Sequence, residues 1–428
     1  MSWKEKLKII PKIIFYITFV GISMPMYLNI STGLYNNFLT TKISFNLDTL
    51  FLNWNTSFPA VTICELYNGE KLWDLSEEYF GVGHDLRLDD VIGEIVYFQG
   101  SCTSCDVCDG QNITCPRNFT KLLSMFRSNC SELIGNCKYN NNFIECCDHF
   151  QPLRTEYGLC FAFNSNQANK VTEIQYINNR EVGAGYLTFE VTADIQLFLH
   201  SPFEIPFLTA EGMIRETVLQ GLNKEVIITA MEVFNHPSLY GIDMEERKCR
   251  FFNELTELGR HLKLYSFYGF STCIVECAFS IHLKFCNCSN HFLAKEGSTR
   301  YHMCNYEGLM CLTDYYYDIL EERRQCDCLS PCEEPEYNII FNSVDGKPKK
   351  KTELTKIRIG LAELPTLRYV RKVTKTNLDL LISLGGLAGL FFNVSLIRIV
   401  EVIFLLWEIK WRRLIIYFKQ YLRIWKCH

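Results

Sequence analysis

Two apolar runs bracket the chain. From Ile13 to Ile30 there is no charged residue. With Ile9 and Ile10 this run approaches the ~20 residues that a helix needs to cross ~30 Å of hydrocarbon. Pro25, in its outer half, predicts a kink or an early end to that helix. The second run, Leu378 to Trp407, is broken only by Asp379, Arg398 and Glu401. Its length exceeds a straight crossing, so part of it must tilt, kink or unwind. Gly385, Gly386 and Gly389 weaken a helix there but let backbones approach closely. Between the runs the pattern changes. Tyr186 to Leu199 alternates apolar and polar positions with β-branched and aromatic residues and reads as strand. Asp243 to Leu264 and Asp314 to Arg324 read as helix. Lys347 to Lys351, with Gly346 and Pro348, reads as a solvated turn, and Lys356 to Ile359 as a strand returning toward the second run. No fixed-period repeat is visible, and the mixture predicts an α+β middle domain.

Charge orients these pieces. Lys4, Lys6, Lys8 and Lys12 precede the first run; Lys410, Arg412, Arg413, Lys419, Arg423 and Lys426 follow the second. Residues 31–377 hold 32 basic against 44 acidic residues, a net −12. Basic flanks stay cytoplasmic, which predicts both termini inside and the long loop outside. A cleaved signal peptide is the rival reading of the first run, but Met24-Pro25-Met26-Tyr27 lacks a small-x-small cleavage pattern. The expected organisation is a cytoplasmic start (1–12), a first transmembrane helix (13–30), an extracellular cysteine-rich domain (31–377), a second transmembrane helix (378–407) and a cytoplasmic end (408–428). An acidic middle offers no basic stripe for nucleic acid.

Cysteine usage agrees with an external loop. Of 21 cysteines, all but Cys427 lie between Cys64 and Cys332, and that even set accompanies sequons at Asn29, Asn55, Asn112, Asn118, Asn129 and Asn287. Together they point to an oxidising, glycosylating compartment. Asn29 falls in the first run, which leaves five candidates for glycosylation. Cys273 and Cys277 would share one face of a helix, and Cys326 and Cys328 one face of a strand, so two such elements could form a ladder of parallel cross-links. Each long loop so closed is worth about 3–5 kcal/mol. Cys102, Cys105, Cys108 and Cys115 have spacing that also suits zinc or an iron–sulfur cluster, though an oxidised loop favours disulfides. The partners of these four, and of Cys130, Cys137, Cys146 and Cys147, stay open. No cofactor is expected, and no resident metal.

Several segments resemble the epithelial sodium channel/degenerin family, which includes acid-sensing and insect pickpocket channels. Phe58-Pro-Ala-Val-Thr-Ile-Cys64 looks like its signature after the first span, Thr155-Glu-Tyr-Gly-Leu-Cys160-Phe-Ala-Phe-Asn164 like its central motif, and Arg247-Lys-Cys249-Arg-Phe251 like a third. Tyr268-Gly-Phe-Ser-Thr-Cys273 with Cys277, then Cys286-Asn-Cys288, and Cys326-Asp-Cys328 with Cys332 are similar to its cysteine-rich region. Gly385-Gly-Leu-Ala-Gly-Leu-Phe391 through Glu401 resembles its pore span. The matches run in family order from residue 58 to 401. The resemblance implies an invertebrate member, a trimer around a central pore, and plasma-membrane residence in the lipid bilayer. It also implies the pairings Cys64–Cys160, Cys249–Cys332, Cys273–Cys328, Cys277–Cys326, Cys286–Cys311 and Cys288–Cys304.

The same resemblance assigns pore roles. Asn393-Val394-Ser395 falls where the family has a Gly/Ser-x-Ser selectivity filter, and Gly389 lies just before it. Carbonyls and hydroxyls of an unwound stretch there could replace the water around Na⁺. Glu401, an intramembrane carboxylate, implies a ring of acids at the inner mouth, which Glu408 could extend, though interfacial placement explains Glu408 equally well. Arg398 stands where the family has a small polar residue and lies three before Glu401, within reach of an ion pair. Ile382 aligns with a small-residue gating site. The start of the chain lacks the family's His-Gly motif.

The expected function is a subunit of a sodium-selective or cation channel opened by an extracellular stimulus, with amiloride sensitivity and ligand gating as family traits. Na⁺ is the permeant ion, and the partners are two further copies or related subunits. The extracellular ligand has no sequence signal. A non-conducting or modulatory subunit, or a cell-surface receptor with a degraded pore, is the alternative. An enzyme is not expected: His84, His149, His200, His261 and His282 are scattered, with no HExxH, GxSxG or phosphate loop.

Overall fold

A computed structural model describes residues 3–425, apart from 50–54, 109–113, 169–175, 210–212, 252–253, 255–263, 294–301, 347–353, 366 and 393–394. The chain divides into two compact bodies. One comprises Met1–Phe45, His236–Leu239 and Arg371–His428; the other comprises Asn46–Asn235 and Tyr240–Val370.

In the first body, a helix runs from Trp3 to Thr40. It does not end at Pro25: the helix continues through Pro11 and Pro25, and ten residues past the sequence-based boundary at Ile30. Its segment Ile17–Thr40 is the one helix among the described residues long and apolar enough to cross a membrane. Hydroxyls along it are silenced locally. Thr18 donates to Ile14 O (2.8 Å), Thr32 to Leu28 O (2.9 Å) and Thr40 to Asn36 O (3.0 Å), so these three hydroxyls are satisfied within the helix. The second apolar run is not one helix. Asn377–Phe392 and Leu396–Trp425 are separate, and the first of them spans about 24 Å at 1.5 Å per residue. It begins with a reciprocal cap, in which Thr376 N–H and Oγ1 donate to Asp379 (2.8 and 2.7 Å) and Asp379 N–H donates back to Thr376 Oγ1 (3.2 Å). Tyr27 meets Phe391 and Phe392 edge-on at 6.3 and 5.2 Å, and Lys375 Nζ donates to Asn37 Oδ1 (3.0 Å) and Thr41 Oγ1 (2.7 Å).

The second body is α+β. A five-stranded antiparallel sheet has the order Ile214–Val218, Ile195–His200, Ala60–Glu65, Gly158–Phe163, Phe150–Thr155. A larger sheet runs Asn223–Asn235, Thr355–Leu361, Tyr186–Val191, Ile134–Tyr139, Asn142–Phe143, with Glu336–Asp345 also paired to Asn223–Asn235. Lys224–Ile228 and Ile357–Leu361 pair in parallel. Phe58, Phe150, Phe163 and Phe189, all fully buried, anchor the core that both sheets share. The alternating stretch 186–199 is therefore two strands rather than one. The chain leaves the larger sheet after Val191 and enters the smaller at Ile195, where every residue is buried because both faces are covered. A second core, around Val91, Ile92, Phe119, Phe126 and Leu309, packs the helices Gly69–Phe80, Arg87–Val96, Phe119–Phe126 and Tyr306–Asp314.

One sequence-predicted helix differs from the structure. Among the described residues of Asp243–Leu264 there is one helical turn, Met244–Arg247, ended by Lys248 in the left-handed region. The backbone then extends through Cys249 to bridge Arg250 with Pro331, and most of the remainder lies outside the described residues. The helix expected over Asp314–Arg324 is present as Tyr316–Arg324, and a further helix, Tyr306–Asp314, precedes it across Tyr315. The predicted turn at Lys347–Lys351 also lies outside the described residues. The short returning strand is Thr355–Leu361, buried in the sheet interior.

Ten disulfides tie the second body. Cys64 and Cys160 face each other on adjacent strands, continuing the register Ile63–Phe161. Cys273 and Cys277 on the helix Phe270–Cys286 join Cys328 and Cys326. The latter pair does not form a strand: Cys326 N–H donates to Arg323 O and Cys328 N–H to Cys326 O, a turn closing the helix before it, with no strand beside it to pair with. The others are Cys249–Cys332, Cys286–Cys311, Cys288–Cys304, Cys102–Cys105, Cys108–Cys115, Cys130–Cys147 and Cys137–Cys146. The metal reading of Cys102, Cys105, Cys108 and Cys115 is thereby replaced.

Three buried polar knots complete this body. Arg127 donates to Tyr157 O (2.8 Å) and Glu65 O (3.1 Å) and lies over the Tyr97 ring. Burial lowers its pKa. Gly158, at φ +94°, makes room for it, since a Cβ there would come within 2.5 Å of Arg127 Nη1. Glu156 receives both terminal nitrogens of Arg323 at 2.8 Å and Leu208 N–H at 2.9 Å. Glu204 accepts Phe270 and Ser271 N–H (2.7 and 2.6 Å) at the start of the cysteine-bearing helix, where orphan donors favour an anion.

Candidate pore segment

The break between Asn377–Phe392 and Leu396–Trp425 has a chemical consequence. The last carbonyls of the first helix have no partner within it and carry the negative end of its dipole, a suitable setting for a cation. Asn393 and Val394 lie outside the described residues. Ser395 is exposed, and its Oγ accepts Arg398 N–H at 3.2 Å. That is an N-cap of the second helix, and it leaves the Ser395 O–H able to donate and one lone pair able to accept. Ser395 therefore has a bland role as a cap beside the sharper one of ion ligand.

Below it, Arg398 Nη1 stands 3.8 Å from Glu401 Oε2, a loose ion pair with both side chains more than half exposed. Arg412 donates to Glu408 at 2.7 Å one turn apart. Ile397, Glu401, Phe404, Glu408 and Trp411 line one face of this helix, an apolar stripe carrying two carboxylates. Gly385 and Gly386 have nothing within 4 Å of where a Cβ would sit. Gly389 lies in the last turn before the break, and Ile382, 62% exposed, in the first half of the same helix.

In the second body, Asn55 accepts a bond from Asn179 (3.1 Å), Asn118 caps Phe119–Phe126, Asn129 forms a capping box with Glu132, and Asn287 closes Phe270–Cys286 in the left-handed region. All four are exposed. Asn112 lies outside the described residues, and Asn29 is inside the first helix. Among the described residues, no three His, Cys, Asp or Glu are grouped to hold a metal.

Sequence reasoning missed the groups whose protonation the second body controls. Burial, then the charge of Glu204, pushes Glu334 up, and burial raises the coupled Glu204 as well, opposed there by the N–H groups of Phe270 and Ser271. Burial also raises Glu232 and Glu276. Conversely, burial drops His200, His282 and His291 to about 4. The signs oppose. The raised carboxyls contribute stability below about 4.5, which is lost as pH rises through their folded pKa. The depressed histidines contribute stability above about 6.5, which is lost as pH falls toward about 4. His291, whose Nε2 meets Ile95 O at 2.8 Å, isolates the second effect. His291→Gln is expected to flatten the pH dependence of unfolding free energy between pH 6.5 and 4 by about 1.4 kcal/mol per pH unit. Denaturant unfolding at stepped pH measures it, and an unchanged slope would remove His291 from the account.

Comparison with known proteins supplies the context for this segment. The profile of the family described as amiloride-sensitive sodium channel matches residues 3–405. The chain is similar to sodium channel protein Nach of Drosophila ananassae, at 23% identity over 66% of this chain and 58% of that protein. It is similar to pickpocket protein 11 of Drosophila melanogaster at 25%, over 63% and 53%. It is similar to the human bile acid-sensitive ion channel at 23%, over 59% and 53%. In these alignments the chain spans little more than half the length of each relative.

Proposed function

Because this chain belongs to the amiloride-sensitive sodium channel family, a family of ion channels whose subunits assemble into multimers at the plasma membrane, we propose that it is a cation-channel subunit. In this reading three subunits surround one Na⁺-conducting pore, which opens to an extracellular stimulus. The segment Asn377–Phe392 and the start of Leu396–Trp425 together form a second crossing, and both termini are cytoplasmic. Asn393, Val394 and Ser395 form the filter, Gly389 supplies carbonyls above it, Glu401 gathers cations below it, and Ile382 takes part in gating. Asn55, Asn112, Asn118, Asn129 and Asn287 carry glycans.

The observation that carries this reading is the interruption itself. A helix broken inside an apolar run leaves carbonyls that lipid cannot satisfy, and such breaks persist where they line a water-filled path. Gly385 and Gly386 support assembly. Each costs about 1 kcal/mol of helix stability with no contact in this chain to explain it, which suits close approach of another subunit.

The test is voltage clamp on cells expressing this chain, with extracellular Na⁺ exchanged for a large organic cation. The expected result is an inward current that disappears on exchange and changes selectivity in Ser395→Ala. Silence at confirmed surface expression, persisting with a related subunit present, would sink the proposal. Arg398 favours a second reading, a modulatory subunit that conducts only in mixed trimers. That reading predicts silence alone and altered current in company.

A further inference from the structure

In the larger sheet, Thr355–Leu361 is flanked directly by Tyr186 and Ile227 at the level of Gly360. A Cβ at position 360 would meet Tyr186 Cβ at 3.3 Å and Ile227 Cδ1 at 3.5 Å. Its lack leaves a floor between two apolar walls. The turn before Tyr186 adds Val182 and Ala184, and the whole encloses a cavity of about 340 Å³. Two residues along the same side of the strand, where alternation returns the chain to that face, stands Arg358. Its guanidinium lies over the Tyr186 ring at 5.1 Å and is half exposed. Among the described residues it is the one formally charged side chain lining the cavity. Its partner Glu225, 3.4 Å away on the neighbouring strand, does not line the cavity. A single cationic fork at the edge of a largely apolar hollow of this size, with the Asn140 amide also in its lining, suits a small anion with an apolar body.

We propose that this cavity binds a small amphipathic anion, its apolar body over Gly360 between Tyr186 and Ile227 and its carboxylate or sulfonate on Arg358. The site rests on the reading of the chain as a channel answering an extracellular signal, and it gives that signal a chemical class. Glu225 competes with the ligand for the guanidinium, so it sets how tightly the anion is held.

The experiment uses the full chain in lipid nanodiscs and saturation-transfer NMR with 4-phenylbutyrate, after subtraction of empty nanodiscs. 4-Phenylbutanol and 4-phenylbutylammonium serve as neutral and cationic counterparts. The wild type should bind the carboxylate at least tenfold more tightly than either counterpart. Gly360→Val and Arg358→Gln should each weaken binding at least tenfold, and Glu225→Gln should tighten it two- to fivefold. The opposite direction of Glu225→Gln separates loss of the site from loss of the fold, which thermal unfolding also monitors. Equal binding across all variants, preference for the ammonium, or no saturable binding by the wild type would overturn the proposal. Binding does not require conduction. Binding without Na⁺ current, even with a related subunit present, would sink the channel reading and spare the site; current without binding would do the reverse.

Discussion

Arg323→Met is expected to remove nearly all of the protein from the cell surface. Arg323 and Glu156 are among the least accessible charged side chains, with 7% and 3% of their side chains exposed, and they meet through two parallel hydrogen bonds. Methionine fills much of the same volume but strands a carboxylate in a place water does not reach. Breaking a buried pair from one side costs about 3–5 kcal/mol, against a total stability of about 5–15 kcal/mol. The damage would spread, because Glu156 also holds Leu208 N–H (2.9 Å) and Arg323 sits one turn from the cross-linked Cys326. Glu156→Gln combined with Arg323→Met should recover most of the loss, since a neutral amide still accepts the Leu208 N–H and no charge remains to desolvate. Surface biotinylation with thermal unfolding of the purified chain measures both. If the double variant is no better than Arg323→Met, the stranded charge is not the cause.

The second large effect concerns conduction. In the proposed trimer, Glu401→Gln removes three carboxylates and leaves three Arg398 guanidinium groups without their partner. At ~10 Å in water, one unit charge acts on an ion by about 0.4 kcal/mol, so three give about 1.2 kcal/mol, a factor of about eight in rate. Single-channel Na⁺ conductance should fall by roughly that factor. Arg398→Ser should raise it by a similar factor, and the double variant should return near the starting value because the net charge of the stripe is restored. Single-channel recording makes the outcome independent of expression level. No change in either single variant would mean that the Arg398–Glu401 pair, 3.8 Å apart, faces lipid or protein rather than the ion path.

What the sequence carried legibly was what repeats or what is chemically marked. The first apolar run located the helix holding Ile17–Thr40, the one described helix long and apolar enough to cross a membrane, because hydrocarbon thickness sets such a length. Six Cys-based motifs in family order carried the family membership. Less legible were places where tertiary contacts override local preference. Tyr186 to Leu199 has one unbroken alternation, yet Asp194 O accepts Leu66 N–H and the chain changes sheets at that point. Helical propensity from Asp243 onward yields to Cys249, which must reach Cys332. Pro25 reads as a helix breaker, whereas the helix continues through it. In the candidate pore segment, Ser395 and Glu401 were visible as polar residues in an apolar run. The cap that Ser395 makes and the partner that Glu401 has were not, since both depend on where the helix restarts. Arg127, Arg323 and Glu204 carried no signal of burial, because a charged residue in sequence looks like a surface residue.

The pattern of disulfides has a consequence for biosynthesis. Five of them lie wholly between Cys64 and Cys160, and five wholly between Cys249 and Cys332, with none crossing from one set to the other. A chain entering an oxidising compartment from its earlier end can therefore complete the first set before a cysteine of the second has been translated. Pairing in this order would avoid wrong bonds between the sets without reshuffling, provided the first set closes before Cys249 emerges. The innermost bonds of the first set, such as Cys137–Cys146 inside Cys130–Cys147, can close as soon as their short loops emerge. The Cys64–Cys160 bond then locks the two adjacent strands once the later one arrives.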